Sequence, residues 1–382
     1  MLPITRISWK RWQQLKGERQ LPALAEIEAD LENVRAAWRY YLNPINSPQI
    51  WKFIYCFWLV YWFRGWNLAG TELFAESVRV QSGEKVEQDS ALLALIMAFQ
   101  GYFMAWLDLS EQGYQLAKDG VEILQRHDKP EALLLAIDSL IVNSYFLNRK
   151  AEQIEITRIM FEVAKQIDDE WLLAYTLFAV SMAALIDEDY TEAIRQAEIH
   201  LKLCEDIGDE IDSTLPLIIL GHTALANGKY EEAWGFYLRC QKISQKIGFH
   251  YAIQTSSKYL GKVAISMGKI TEAEKYLFQC LVMTMEIGFV RDVINLYYEF
   301  ARLMVAKEEP EHAAELPAFV ILHPASQQTR MMEGRIRDSA QNLLTKLEQE
   351  LPQDDYTAAI LRGQDLELDQ IFNALVSPVH PM

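Results

Sequence analysis

A chain of 382 residues with 51% hydrophobic and 11% aromatic side chains can bury a large core, which excludes long disordered stretches. Its 53 acidic residues against 36 basic ones give a formal net charge of -17, which repels phosphate backbones and argues against nucleic acid as a direct partner. Cys56, Cys204, Cys240 and Cys280 form no CxxC pair, and the opening MLPITRISWKRW lacks the apolar core of a signal peptide, so a reducing, cytoplasmic setting is expected.

The N-terminal stretch with Arg6, Lys10, Arg11, Lys16 and Arg19 is locally basic, but Glu18, Glu26, Glu28, Asp30 and Glu32 offset it, and it reads as a solvated helix face. Glu26 to Leu42 is predicted as one helix, ended by Pro44 and Pro48. Gln49 to Arg64 is predicted as the next. It carries Trp51, Phe53, Tyr55, Phe57, Trp58, Tyr61, Trp62 and Phe63 on nearly all faces, so neighbours must enclose it. Its apolar run, Phe53 to Phe63, is about half of the ~20 residues a membrane span needs, and no membrane association is expected.

From about residue 90 to 320 the sequence repeats every forty residues. Gln166-Ile167-Asp168-Asp169 is echoed by Asp206-Ile207-Gly208-Asp209, Lys246-Ile247-Gly248-Phe249 and Glu286-Ile287-Gly288-Phe289. Tyr190-Thr191-Glu192-Ala193, Tyr230-Glu231-Glu232-Ala233 and Ile270-Thr271-Glu272-Ala273 keep the same step. Small residues recur at Gly101, Ser181, Gly221, Gly261 and Ala301, and again twelve residues later at Gly113, Ala193, Ala233, Ala273 and Ala313. Such positions let two helices approach closely, as a tight helical hairpin requires. Ile141 and Gln153 fill both slots of one unit, which is therefore predicted to be the least regular. Breaks such as Ala226-Asn227-Gly228-Lys229 and Ser266-Met267-Gly268-Lys269 supply a glycine to stop the first helix of a unit, and the Ile-Gly segments end the second. Downstream, Ser326 to Leu351 reads as a long charged amphipathic helix and Leu366 to Val376 as a short last one. The predicted organisation is N-terminal helices over 1–48, a helical repeat array over 49–320 and capping helices over 321–382, with no strand.

These units resemble tetratricopeptide repeats, in a longer form similar to the sensor arm of bacterial STAND-type signal-transduction NTPases, including LuxR-like transcriptional regulators. Glu28-Ala29-Asp30-Leu31-Glu32-Asn33-Val34-Arg35-Ala36-Ala37-Trp38 resembles the segment after the winged-helix region of those proteins. Phe57-Trp58 through Arg64-Gly65, followed by Gly70, resembles the opening of their repeat arm, with Ala69 where the family often has an acidic residue. His323-Pro324-Ala325-Ser326 and Leu361-Arg362-Gly363 resemble their C-terminal end. The resemblance implies an all-α, right-handed α-α superhelix of helical hairpins with a helical cap. It also implies that the chain is the C-terminal arm of a longer regulator with an upstream NTPase domain. The sequence contains no G-x-x-x-x-G-K-[ST] phosphate loop of its own.

In tetratricopeptide-like arrays the first helix of each hairpin lines the inner groove. Helical spacing then directs Tyr102, Trp106, Tyr145, Phe146, Tyr175, Phe178 and Met182 to an apolar part, and His222, Lys258, Lys262, Asn295, Tyr298 and Arg302 to a polar, basic part. A peptide or protein partner is expected there, its apolar anchors on the aromatics and an acidic end on the cations. The competing reading is that the aromatics only pack helix against helix. Seven histidines show no His-x-x-x-His spacing, and no nucleophile signature occurs, so neither a metal, a cofactor nor an enzymatic site is expected. The function expected is a non-catalytic sensor module; a stand-alone adaptor or scaffold and a small-molecule effector receptor are the alternatives.

Overall fold

The structure, a computed structural model, describes residues 14–42, 50–51, 53–81, 89–327 and 335–376. The described residues form nineteen α-helices joined by short turns, with no strand. The chain divides into two compact units. One holds the residues up to Thr223 together with Lys242–Ala252, and the other holds Ala224–Gln241 and the chain from Ile253 onward.

The first unit begins with α1 (Gln20–Ala29), α2 (Leu31–Tyr41), α3 (Ile54–Phe63) and α4 (Asn67–Gln81). Hairpins follow: α5 (Ser90–Ala105) with α6 (Ser110–Leu124), α7 (Pro130–Phe146) with α8 (Lys150–Ala164), and α9 (Glu170–Ile186) with α10 (Tyr190–Ile207). Helices α11 (Thr214–Ala226), α12 (Tyr230–Ile247) and α13 (His250–Ser266) each contribute residues to both units. The second unit continues with α14 (Ile270–Ile287), α15 (Val290–Ala306), α16 (Pro310–Leu322), α17 (Ile336–Glu350), α18 (Gln353–Gln364) and α19 (Leu368–Val376).

One backbone device repeats through the hairpins. The residue that stops each first helix takes a left-handed conformation at Asp108, Asn148, Glu188, Gly228, Gly268 and Glu308, forty residues apart, with φ between 56° and 71°. The amide after each bonds back five residues, Leu109 to Met104, Arg149 to Ser144, Asp189 to Ala184, Lys229 to Ala224, Lys269 to Ala264 and Glu309 to Met304, which satisfies a carbonyl the helix end leaves open. The sequence marks only two of these stops with glycine; side chains occupy the same strained geometry elsewhere. The second helices α10, α12 and α14 end on left-handed Gly208, Gly248 and Gly288 as predicted. Helix α8 departs from that pattern. It ends at Ala164 with Lys165 right-handed, so Gln166-Ile167-Asp168-Asp169 shares the sequence register without the left-handed residue.

Close helix approach is visible at Gly101, where an added Cβ would fall on the carbonyl oxygen of Gly113. The α7–α8 hairpin places Ile141 and Gln153 at the equivalent points, both buried, and Gln153 Oε1 and Thr157 Oγ1 have no hydrogen-bond partner. Polar atoms are thus sealed into this contact.

The segments resembling a regulator arm have structural roles. Arg64 donates from Nη1 to the carbonyls of Ile247 and Gly248, at 2.7 and 2.8 Å, and pairs with Glu28, so one guanidinium ties α1 and the end of α3 to the C-terminus of α12. Gly70 lies against the Phe103 ring, leaving no room for a Cβ. Arg362 pairs with Glu315 at 2.7 Å, and Gly363 sits on the Glu315 carbonyl and Ala318. His323 and Ser326 bond within a 3-10 turn, Pro324–Gln327.

Several predicted boundaries need correction. Glu26 to Leu42 is two helices broken at Asp30, whose amide bonds to Ile27, and the first begins earlier, at Gln20. Ile50 and Trp51 lie in a tighter turn, so the aromatic helix is confined to Ile54–Phe63. Ser326 belongs to the 3-10 turn and the charged helix starts at Ile336; Pro44 and Pro48 lie outside the described residues. Helix α18 was not predicted. Pro352 at its N-cap opens it, but its apolar side chains are too sparse to draw a stripe in the sequence. Among the described residues no helix is long and apolar enough to cross a membrane.

Glu188 is exposed and left-handed, a conformation costing an L-residue about 1–2 kcal/mol that glycine avoids. Glu188→Gly should raise stability by about 1 kcal/mol in urea denaturation; a loss would show that the left-handed stop is not strained.

Candidate functional site

The predicted site residues fall into two groups, one in each unit. In the first unit the sequence predicts that α3 needs enclosure, and it is buried on all sides. Trp58 and Trp62 stack at 5.9 Å, and Phe99 stacks on Trp58 at 5.3 Å. Tyr102 and Tyr175 stand edge-on to both tryptophans at 5.6 to 6.4 Å. Phe249 meets Trp62 at 5.1 Å, and Trp106 meets Phe146 at 5.0 Å and Tyr251 at 5.5 Å. Tyr102, Trp106, Phe146 and Tyr175 are therefore gathered into one ring cluster, with Tyr145 reaching it through Phe146 at 5.6 Å. Trp58, Trp62 and Phe249, which the sequence reading did not assign to the site, hold a large part of that cluster. Phe178 is half-buried and Met182 buried on α9; His222 is buried on α11.

Polar groups are embedded among these rings. Tyr175 donates from its hydroxyl to Asp138 at 2.6 Å, and Tyr102 adjoins Tyr175 through a hydrogen bond. Burial pushes the Asp138 carboxyl up to about 7, with the Tyr175 bond opposing the shift. Burial also holds the phenols of Tyr102 and Tyr175 well above their ordinary range, with the Asp138 charge adding to it. Trp58 Nε1 and Trp62 Nε1 are buried with no hydrogen-bond partner, so the cluster presents unspent donors to an apolar interior.

In the second unit the predicted cations assemble around a residue that the sequence reading missed. Glu299 is buried and accepts from Arg302 Nη1 at 2.6 Å and pairs with Lys262 at 3.3 Å. Lys258 and Lys262 both lie over the Tyr259 ring, at 5.1 and 5.2 Å. Tyr298 is half-buried beside them; burial raises its phenol, Glu299 adds to the shift, and Arg302 and Lys262 oppose it. Asn295 is buried one turn earlier on α15. Glu299 stands three residues before Arg302, a spacing that signals a helical ion pair and could have flagged it. Ammonium and guanidinium groups are donors that bind carboxylates by charge-assisted hydrogen bonds.

No protein-family model matches the sequence. No curated protein matches it. Solved structures do. A Rap protein complexed with competence and sporulation factor aligns over 91% of this chain and 99% of its own, at 15% identity and a TM-score of 0.54. NprR in complex with its cognate peptide NprX aligns over 91% of this chain and 93% of its own, at 16% identity and a TM-score of 0.53. The fold is tetratricopeptide-like. A STAND protein with a tetratricopeptide repeat sensor from Pyrococcus horikoshii aligns over 90% of this chain and 54% of its own, at 15% identity, with a TM-score of 0.48 that is too low to add to this. At these identities the likeness is one of fold alone.

The Asp138 carboxyl, raised to about 7 against an ordinary value near 4, keeps its proton in the folded state while the unfolded chain loses it. Its contribution to stability is therefore present below about pH 4 and lost as the pH rises through about 7. Asp138→Asn, which can still accept from Tyr175, should gain stability relative to the natural chain at pH 8 and gain clearly less at pH 5 in urea denaturation. An equal difference at both pH values would contradict a protonated Asp138.

Proposed function

We propose that the chain is a non-catalytic sensor that binds a peptide or the terminus of a protein, with the cations on α13 and α15 receiving an acidic end. The observation that carries this reading is the convergence of Lys258, Lys262 and Arg302 beside Tyr259 and Tyr298. Both structures of similar fold hold a factor or cognate peptide, which supports a peptide-class ligand here. The ring cluster of the first unit around Tyr102, Trp106, Phe146 and Tyr175, with Phe178 and Met182 on the same helix as Tyr175, is proposed by itself as a place for apolar groups of a ligand. The two groups are proposed and tested separately.

The wider setting is also a proposal. The segments around Arg64-Gly65 and Leu361-Arg362-Gly363 support placing the chain as the sensor arm of a cytoplasmic STAND-type or LuxR-like regulator, with residues 1–48 preceding the repeats and residues 321–382 capping them. A second reading, a receptor for a small-molecule effector, is favoured by the ring cluster, because Trp58 and Trp62 keep indole N–H groups without an acceptor.

A pool of labelled short peptides with acidic C-termini tests the main reading. The pool should bind, and Lys258→Glu should weaken binding tenfold or more, about 1.4 kcal/mol. Glu299→Gln preserves shape and releases Lys262 and Arg302 from a competing carboxylate, so it should tighten binding. Equal affinity of all three proteins by fluorescence anisotropy would remove these cations from the site.

A further inference from the structure

A second cluster in the first unit is made of residues that belong to neither group of predicted site residues. Helix α10 carries His200 and Cys204 four residues apart, hence on one face, and the turn after left-handed Gly208 returns Asp212 to that face. His200 is 0% exposed, Cys204 1% and Asp212 4%. His200 Nε2 shares a proton with Asp212 Oδ2 at 2.6 Å, Cys204 Sγ stands 3.7 Å from the same oxygen, and one donor atom from each of the three residues lies within 4.8 Å of the others.

We infer that His200, Cys204 and Asp212 form a binding site for one divalent transition ion of the zinc class. Nitrogen, thiolate sulfur and carboxylate oxygen are the donors such an ion selects. With bonds of about 2.0–2.3 Å to a tetrahedral ion, ligand atoms stand roughly 3.3–3.7 Å apart. The sulfur–oxygen spacing already agrees. The nitrogen–oxygen pair must open by about 0.7 Å, which the ion achieves by taking the place of the shared proton.

Two features hold the site ready. Asp209, 1% exposed, accepts the Asp212 amide on Oδ1 at 2.7 Å and the Trp171 indole on Oδ2 at 2.7 Å, which fixes the turn that aims Asp212 at α10. His200 Nδ1 has no hydrogen-bond partner, so the ring is held from the Asp212 side alone. Charge points the same way. Asp212, eight residues after Cys204, brings a buried carboxylate to the thiol, and a dication would offset the charge of Asp212 and the Cys204 thiolate. On binding, the Cys204 thiol proton leaves to solvent, and the proton between His200 Nε2 and Asp212 Oδ2 gives way to the ion and is taken up at Nδ1 of the ring, so that Nε2 is free to ligate. Three protein ligands leave a fourth position for water.

The spacing His200-x-x-x-Cys204 was present in the sequence, but the third ligand comes from a turn whose geometry the sequence does not state.

The probe is cobalt(II) alone, added to the metal-free full chain and, because donors this buried are reached through local opening, also during refolding. One equivalent should produce a sulfur-to-cobalt charge-transfer band and the visible bands of a tetrahedral ion, and zinc should displace both. Cys204→Ala should abolish the charge-transfer band and Asp212→Asn should weaken binding at least tenfold, while Cys280→Ala changes neither. Far-ultraviolet circular dichroism checks that the variants fold. No charge-transfer band from the natural chain under either condition, or a band that survives Cys204→Ala, overturns the assignment.

Discussion

The first unit depends on removing one helix from water. Helix α3 has aromatic or aliphatic side chains on every face, Trp58 and Trp62 among them, and no polar side to give to solvent. Burying a large aromatic contributes on the order of 2–3 kcal/mol and leaves its polar edge seeking a partner. The enclosing surface comes from α5, α9 and the residue just before α13, through Phe99, Tyr102, Tyr175 and Phe249. Residues far apart in sequence are thereby fixed around one element, and Arg64, at its end, completes the closure by bonding to the carbonyls of Ile247 and Gly248. The same enclosure explains why buried acids such as Asp138 are tolerated: phenol and indole donors surround them.

How much of this was legible depends on the kind of signal. Forty-residue periodicity, the glycines at 208, 248 and 288, and the need to enclose α3 follow from residue identity and spacing, and each appears in the structure. The left-handed stops at Asp108, Asn148, Glu188 and Glu308 carry no glycine, so only the register of the neighbouring units points to them. The break at Asp30 was hidden because helical periodicity continues on both sides of it. For the site, spacing along a helix identified the cations on α13 and α15 but not their buried partner. A glutamate in an acidic chain looks like solvated surface until the packing places it inside, as it does Glu299. Packing helix against helix was legible as the competing role of the aromatics, but its partners, Trp58 and Trp62, were not, since α3 is distant in sequence from the helices that enclose it.

The two groups of site residues differ in what they can offer a ligand. The rings of the first unit are already committed to one another, so a ligand there must replace contacts with Trp58, Trp62 or Phe249. The cations of the second unit require less rearrangement: Arg302 and Lys262 share Glu299, and Lys258 extends over Tyr259. A carboxylate arriving there adds hydrogen bonds to groups that the fold has already ordered, which lowers the cost of binding. This difference supports the proposal that an acidic end is received on α13 and α15.

Hydrogen exchange read by mass spectrometry, with and without a bound acidic-ended peptide, tests that claim most directly. Slowed exchange over residues 256–264 and 294–303 is the predicted result. A peptide that binds tightly while leaving both segments unchanged would contradict it.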